Sequence, residues 1–529
     1  MFVRRRKNRS GTTTVVVVDK SRRKFREVVR IGTGRTEQEV EELCHQGEQY
    51  IKAALGLIPI NFEVRYAESE ERANELTEAE RKERARREAS MSRLKEASEL
   101  VDTVLINGCS LVLGDIYDSI GFGTIADKTL RSLVIARIAQ PGSKRATADY
   151  LKSHFGEDIH LSKIYRYLDR LYDTEHERVQ RLSVEHTRAI LGGRIGLMFY
   201  DVTTLYFETQ NRDELRIAGF SKDGKNKEAQ IVLGLLVSEG GYPLSYSIFP
   251  GNQYEGYTMV PVVEDFIQRY SLGDFVIVAD SGLMNTDNVQ ALRSAGYKYI
   301  IGAKIKNEAD AVKEWILSQP KIEGRYPEYG KSNGERLILS FSEDRARKNA
   351  FDREKGVEKL RKSFKAGKLT KDNVNKRGYN KFLSLDGDVS VTINEDKIKD
   401  DEKWDGLKGY ITNTDLPAAE VISQYTGLWT VENSFRITKG SFEMRPIFHF
   451  TERRIVAHIC ICFVALKVFK ELERRLRSNG IAMSPYRAVE VLKTVTTIVF
   501  KSEDGQTLRK VQLSSPEQLA LKPLLNGKI

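Results

Sequence analysis

The spacing of apolar positions changes character along the chain, and each change marks a different kind of element. Residues 12–18 (TTTVVVV) are strongly β-prone, residues 19–23 are turn-like and residues 24–31 return to the strand pattern, which predicts a small β unit. Residues 38–55 then take a helical period. Residues 68–100 hold ten acidic and eight basic side chains with many Ala, the composition of a long exposed helix laced with i,i+4 pairs. Helical periodicity resumes over 111–191. Within it, 143–155 (SKRATADYLKSHF) and 161–172 (LSKIYRYLDRLY), parted by a turn at 156–160, have the lengths of a helix-turn-helix. Ser162, Lys163, Tyr165 and Arg166 fall early on its second helix, although any small helical bundle offers such a pair.

At Arg194 the pattern switches to strands. Residues 195–207 (IGLMFYDVTTLYF), 229–237 (AQIVLGLLV) and 244–249 (LSYSIF) are apolar and β-branched, and Glu239-Gly240-Gly241-Tyr242-Pro243 reads as a hairpin turn. A helix at 261–270, a buried strand at 275–279, a helix from 285 and a strand at 299–303 follow. Strands mixed with crossover helices predict an α/β sheet. Residues 307–409 interrupt this series with short strand-like pieces and several glycines. A strand at 409–412 then leads to a helix opened by Pro417 and closed by Gly440. Further helices are expected over 453–478 and 484–494, and a last hairpin over 500–513.

Charge sharpens the picture. The chain of 529 residues has a formal net charge of +11. Residues 345–381 alone hold fourteen Lys/Arg against four Asp/Glu. Such a block suits a polyanion, most simply a nucleic acid backbone, or else is a solvated loop. The four cysteines, Cys44, Cys109, Cys460 and Cys462, show no C-x2-C spacing, which argues against a disulfide framework and suits a reducing cytoplasm. Cys460 and Cys462 lie ~200° apart on a helix, so with His449 and His458 they read as packed core residues rather than a zinc site. The longest apolar run, 455–469, has fifteen residues including His458 and Lys467, too few to span a bilayer. No signal peptide and no phosphate loop of the G-x4-G-K-[ST] type is visible.

Candidate chemistry comes from carboxylates in apolar company, which is costly unless they are paired, hydrogen-bonded or bound to a metal. Asp201 interrupts the strand Phe199-Tyr200-Asp201-Val202-Thr203-Thr204. Asp280 ends the strand Val278-Ala279-Asp280-Ser281-Gly282, where ligands of α/β sheets gather. Glu432 lies on the helix opened by Pro417. At ~100° per residue, Tyr425, Leu428, Glu432 and Lys439 share one stripe with Trp429 and Arg436 on its edge. That mostly polar stripe predicts a face toward ligand or solvent. Each acid alone also reads as a satisfied structural carboxylate. Together they form an all-oxygen set suited to hard ions, and two such ions ~4 Å apart suit phosphodiester chemistry.

The register Tyr425, Glu432, Lys439, followed by Arg445-Pro446, His449, Arg454-Ile455 and His458, resembles the Y-x2-R-x3-E-x6-K branch of the DDE transposases of bacterial and archaeal insertion sequences. Asp201 with Thr204, and the stretch around Asp280, resemble the family's two catalytic strands. The resemblance covers residues 194–466, with one departure: Leu428 stands at the motif's arginine position. It implies an RNase H-like core with Asp201, Asp280 and Glu432 as catalytic ligands of two Mg²⁺ or Mn²⁺ ions. It also implies DNA contacts from Tyr425, Lys439, Trp429 and Arg436, whereas Lys163 and Arg166 are DNA-reading candidates from the helix-turn-helix pattern alone. A mainly β insertion between Asp280 and Glu432, and a homodimer synapsing double-stranded transposon ends and target DNA, belong to the same expectation.

The expected organisation is therefore an N-terminal β unit and helix (1–60), a charged helical connector (61–110) and a helical DNA-binding region (111–193). The two parts of an RNase H-like α/β core (194–306 and 410–470) flank a basic β-rich insertion (307–409), and a helical C-terminal region closes the chain (471–529). The function this implies is cut-and-paste transposition in the cytoplasm, nucleoid-associated and without a membrane. The alternatives are a metal-dependent nuclease without strand transfer and an inactive DNA-binding repressor.

Overall fold

The computed structural model describes residues 1–20, 25–55, 78–208, 211–221, 224, 227–271, 273–283, 286–375, 378–386 and 390–525, in two units, Met1–Leu100 and Val101–Ile529. Residues 68–77 of the expected charged helix lie outside them.

In the first unit, β1 (Phe2–Lys7), β2 (Thr13–Asp19) and β3 (Arg26–Gly34) form an antiparallel sheet in that order. The valines of β2 are its buried centre. The helix α1 (Glu37–Ala54) packs on it, with Gly32 making room for Leu43. β1 belongs to the β unit expected over residues 3–31, although only the strands at 12–18 and 24–31 stand out there. Its Arg4-Arg5-Arg6-Lys7 run reads as a solvated end, yet charge of this kind protects an edge strand, and Arg5 pairs with Glu37 at 2.8 Å. The helix α2 (Glu78–Glu99) carries the expected i,i+4 pairs Glu83–Arg87 and Arg84–Glu88.

The second unit begins with β4 (Val101–Leu105) and five helices: α3 (Gly108–Ser119), α4 (Thr129–Ala139), α5 (Lys144–Tyr150), α6 (Leu161–Arg170) and α7 (His176–Ile190). The chain then builds β5 (Leu197–Tyr206), β6 (Ile217–Ala218), β7 (Ala229–Ser238), β8 (Pro243–Pro250), α8 (Met259–Tyr270), β9 (Val276–Ala279), α9 (Thr286–Ser294) and β10 (Lys298–Ala303). β5, β9 and β10 run parallel, β7 is antiparallel to β5, and β8 and β6 both pair antiparallel with β7. Every residue of β7 is buried, which explains its unbroken apolar run.

Residues 307–409 depart from the mainly β insertion expected there. α10 (Asp310–Ser318), α11 (Glu343–Lys365) and α12 (Glu395–Glu402) supply more of it than its strands do, and β13 (Leu383–Asp386) with β14 (Ser390–Ile393) form its one separate hairpin among the described residues. β11 (Glu328–Gly330) and β12 (Arg336–Phe341) instead extend the central sheet through β15 (Leu407–Thr412), in the order β11-β12-β15-β10-β9-β5-β7. The physical reason is in the basic block itself. Lys, Arg, Glu and Ala favour helix, and Arg353, Gly356, Val357 and Leu360 are the buried residues of α11, at i, i+3, i+4 and i+7. That stripe closes a small core with Phe382, Leu383, Val391 and Ile398.

α13 (Ala418–Thr426), α14 (Trp429–Arg436), α15 (Glu452–Ser478), α16 (Pro485–Leu492), the hairpin β16 (Thr496–Lys501)–β17 (Thr507–Gln512) and α17 (Pro516–Ala520) complete the unit. β16 also pairs with β4. α15 is buried along most of its length and joins the helices of 108–190 and one face of the central sheet in a single core. The helical region expected at 111–193 thus shares the sheet's core. Within α15, Lys467 donates to the Ser183 carbonyl (3.1 Å) and to Thr187, and burial pushes its pKa down to about 7 against the opposing pull of Glu471. An unfolded lysine titrates near 10.4, so between these values the unfolded chain binds the extra proton and stability falls as pH falls. Lys467→Met should therefore remove a slope of about 1.4 kcal/mol per pH unit, read from denaturant unfolding of both proteins at pH 7.5 and 9.

Candidate active site

Strand alternation puts the two aspartates on one face. In β5, Met198, Tyr200 and Val202 enter the core under α8 and α9, whereas Leu197, Phe199 and Leu205 enter the core around α15. Asp201 has the parity of the second set. In β9, Ala279 belongs to the first core and Val278 to the second, so Asp280 follows onto the same side as Asp201. Tyr200 is the parallel-ladder partner of Ala279. The two aspartates therefore stand side by side, one residue beyond that pair. Asp201 is half-buried and its Oδ1 accepts from the Val202 amide at 2.8 Å, while Asp280 is exposed.

The third acid arrives on a broken helix. A Cβ at Gly427 would lie 2.5 Å from the Phe199 ring and 3.0 Å from the Gln424 carbonyl, so glycine lets this segment lie directly on β5, two residues from Asp201. Hydrogen bonds tighten to i→i−3 there, with Leu428 N on Tyr425 O and Thr430 N on Gly427 O, both at 3.0 Å. The break divides the stripe expected from a continuous helix. Tyr425 and Leu428 turn inward, at 5% and 7% exposure, while Glu432 is exposed and Trp429 is 56% exposed. Tyr425 Oη donates to Asp280 Oδ1 at 2.9 Å, over Gly302, where a Cβ would come within 2.5 Å of that oxygen. Burial, and then the Asp280 carboxylate, raise the Tyr425 phenol above its usual range, which keeps it the donor.

A cation completes the arrangement. Lys408 in β15 holds its ammonium 4.2 Å from the Tyr425 ring centroid. Burial lowers its pKa, Arg345 lowers it further, and Asp280 and Glu432 pull it back up. Lys408 thus lies in the field of one acid from the sheet and one from the helix, and Arg345 at the start of α11 acts on the same ammonium. Sequence reasoning passed over both residues. The signal available was a lysine inside an apolar strand, the same argument that selects Asp201.

Residues 193–467, just over half of the chain, match the family described as the transposase DDE domain. The chain belongs to the DDE transposase family. No curated protein matches the chain. Among solved structures, the DDE chain is similar to one titled as a cryo-EM structure of the piggyBac transposase synaptic complex with hairpin DNA. The identity is 10% and the TM-score 0.38, over 73% of this chain and 76% of that one. That likeness is too loose to assign a fold or a role to any residue.

The DDE domain's other candidate residues are distributed as follows. Trp429 and Arg436 are exposed on the helix of Glu432, with Arg436 donating to Asn433 Oδ1 at 2.7 Å. Lys439 is half-buried in the π-helical turn Ile437–Ser441 that continues α14. Lys163 and Arg166 are exposed on α6. Lys163 lines a cleft of about 990 Å³ with Asp127, Arg131, Glu157 and Arg170, a lining drawn entirely from residues 117–170 and apart from the acids. Leu428 packs in the core, so leucine at the motif's arginine position serves packing. Cys460 and Cys462 are free and buried. Among the described residues, no three His, Cys, Asp or Glu side chains are drawn together closely enough to hold an ion. Three carboxylates without a counter-charge repel one another, and Lys408 and Tyr425 lie among these. The all-oxygen donor set itself suits Mg²⁺ or Mn²⁺.

Proposed function

We propose that this DDE-family chain is a cut-and-paste DNA transposase of the insertion-sequence branch, with Asp201, Asp280 and Glu432 as its catalytic carboxylates. The observation that carries this reading is the side-by-side placement of Asp201 and Asp280 on the sheet face against which the Glu432 helix packs. The order β8-β7-β5-β9-β10, with three antiparallel strands followed by two parallel ones, supports an RNase H-like core. Two Mg²⁺ or Mn²⁺ ions held by the three acids would supply activation of the attacking oxygen and stabilisation of the leaving one.

The chain's own residues do the rest. Tyr425 fixes the rotamer of Asp280 through its hydroxyl. Lys408 and Arg345 offset the negative charge that three carboxylates and a phosphodiester bring together. In the first step a water oxygen bonds to phosphorus at the element end, the P–O3′ bond breaks, and the departing 3′-oxygen takes up a proton. In the second, that 3′-hydroxyl bonds to a target phosphorus, loses its proton, and displaces the target's own 3′-oxygen. Trp429 offers its exposed ring to an unpaired base, and Arg436 and Lys439 offer charge to phosphate. Two copies of the chain synapse the two ends.

The test is incubation of the full chain with its own element's end DNA and a target plasmid, with Mg²⁺ or with EDTA. Metal-dependent joined product upholds the transposase. Cleavage without joining identifies a nuclease, and tight binding with neither reaction under Mg²⁺ or Mn²⁺ identifies an inactive DNA binder.

The basic helix α11 fits the same DNA. Arg347, Lys348, Lys355 and Lys359 are exposed along it, whereas Arg353 is buried in a bidentate pair with Asp405 at 2.7 and 2.6 Å. Replacing Lys348, Lys355 and Lys359 by Gln should weaken DNA binding and flatten its dependence on log salt by roughly 0.9 for each phosphate that is no longer neutralised. Anisotropy titrations at several chloride concentrations measure the slope.

A further inference from the structure

A second cluster of basic side chains lies away from the acids. Arg137 of α4, Lys144 at the start of α5 and His458 of α15 are 5%, 6% and 5% exposed, and half-buried His449 sets its ring centroid 5.4 Å from that of His458. Arg137 spends two donors on the carbonyls of Phe442 (3.3 Å) and Gly142 (3.1 Å), and His458 Nε2 donates to the Met444 carbonyl at 3.2 Å. The other ring nitrogen, His458 Nδ1, is buried with no hydrogen-bond partner. None of these four groups forms an ion pair among the described residues. Arg454, whose charge also reaches His449, is already neutralised by Asp169 at 3.2 Å.

Four basic groups from three helices and the loop before α15 thus converge with no carboxylate paired to them among the described residues. Burying like charges together costs several kcal/mol per unpaired ion, and proteins seldom accept that without a counter-charge. The side chains respond accordingly: burial, then Arg137, pushes Lys144 down to about 7, and burial, then Lys144, pushes His449 down to about 3. An arginine fork and an ammonium are donors for a tetrahedral oxyanion, and an anion bound among the two imidazoles would favour their protonated form, in which His458 Nδ1 also donates.

We propose that Arg137, Lys144, His449 and His458 form a binding site for a phosphate group. The phosphate is either free in solution or part of a nucleic acid backbone; the chemistry at the protein is the same. The site is independent of the reaction proposed at Asp201, Asp280 and Glu432, because either can hold where the other fails.

Thermal unfolding of the full chain in inorganic phosphate and in chloride, at matched ionic strength and pH 7, tests it. The wild type should gain a saturable rise of about 2 °C in phosphate. Lys144→Met should lose that rise while melting no lower than wild type in chloride, since it removes an unpaired buried ammonium. His449→Gln, at the half-buried edge, serves as the second variant if Lys144→Met fails to fold. Equal shifts in wild type and variant, or none in wild type, overturn the site. A short duplex then separates the sources. Phosphate that competes with DNA on wild type but not on the variant identifies a backbone phosphate, and a saturable rise without competition identifies the free anion.

Discussion

Glu432→Gln is expected to lower metal-dependent strand joining by roughly 10³-fold or more, while binding of end DNA stays within about twofold of wild type. The substitution keeps the side chain's shape and removes its charge. A group that stabilises transition-state charge in a water-poor site is typically worth 10²–10³ in rate, and a carboxylate that would hold a catalytic ion carries at least that. Glu432 is exposed and its side chain makes no hydrogen bond or ion pair among the described residues, so the variant should melt close to the wild type. Asp201→Asn should lose as much activity. Quantifying joined product on gels, beside anisotropy with the same duplex, separates chemistry from binding. Full joining by Glu432→Gln would remove the third acid from the mechanism.

Gly302→Ala should cost about 2.5–4.5 kcal/mol of stability and most of the joining activity. The added methyl would sit 2.5 Å from Tyr425 Oη and 3.3 Å from the Ser281 amide. Overpacking of this kind costs about 1–3 kcal/mol. Displacing the phenol also forfeits the hydrogen bond to Asp280, and exposure of that carboxylate puts this loss at the low end of about 1.5–3 kcal/mol. The causal link is testable by a double-mutant cycle. On a Tyr425→Phe background the hydroxyl is gone, so the same alanine should cost at least about 1 kcal/mol less. Additive denaturation free energies would mean that the methyl acts elsewhere.

The acids were legible because charge inside an apolar strand is conspicuous, and period-2 alternation predicts which face each one takes. Asp201 and Asp280 needed only the strand pairing to become neighbours. The order of the sheet was less accessible. β11 and β12 join it through β15, a pairing between residues about seventy apart in sequence that no local pattern encodes. α11 could have been read from its buried stripe, but its charge hid it. The break at Gly427–Leu428 depends on the close approach of Phe199, so a helical wheel drawn through Tyr425 and Lys439 assumed a continuity the chain lacks. Lys408 was overlooked for a related reason, since its partners lie on or at the end of four other elements.

The pairing of β4 with β16 has a consequence for how the protein is made. Thr497 Oγ1 donates to Asn107 Oδ1 at 2.6 Å across 390 residues of sequence. At a synthesis rate of about 5–20 residues per second, the ribosome needs about 20–80 s to deliver the second partner after the first. During that interval β4 has no strand beside it and the helices of 108–190 lack α15, around which they pack. Contacts of such long range fold slowly, and the nascent chain carries an open strand edge throughout. Chaperone dependence during synthesis, and a low yield of folded protein from fast expression, follow from this one strand pair.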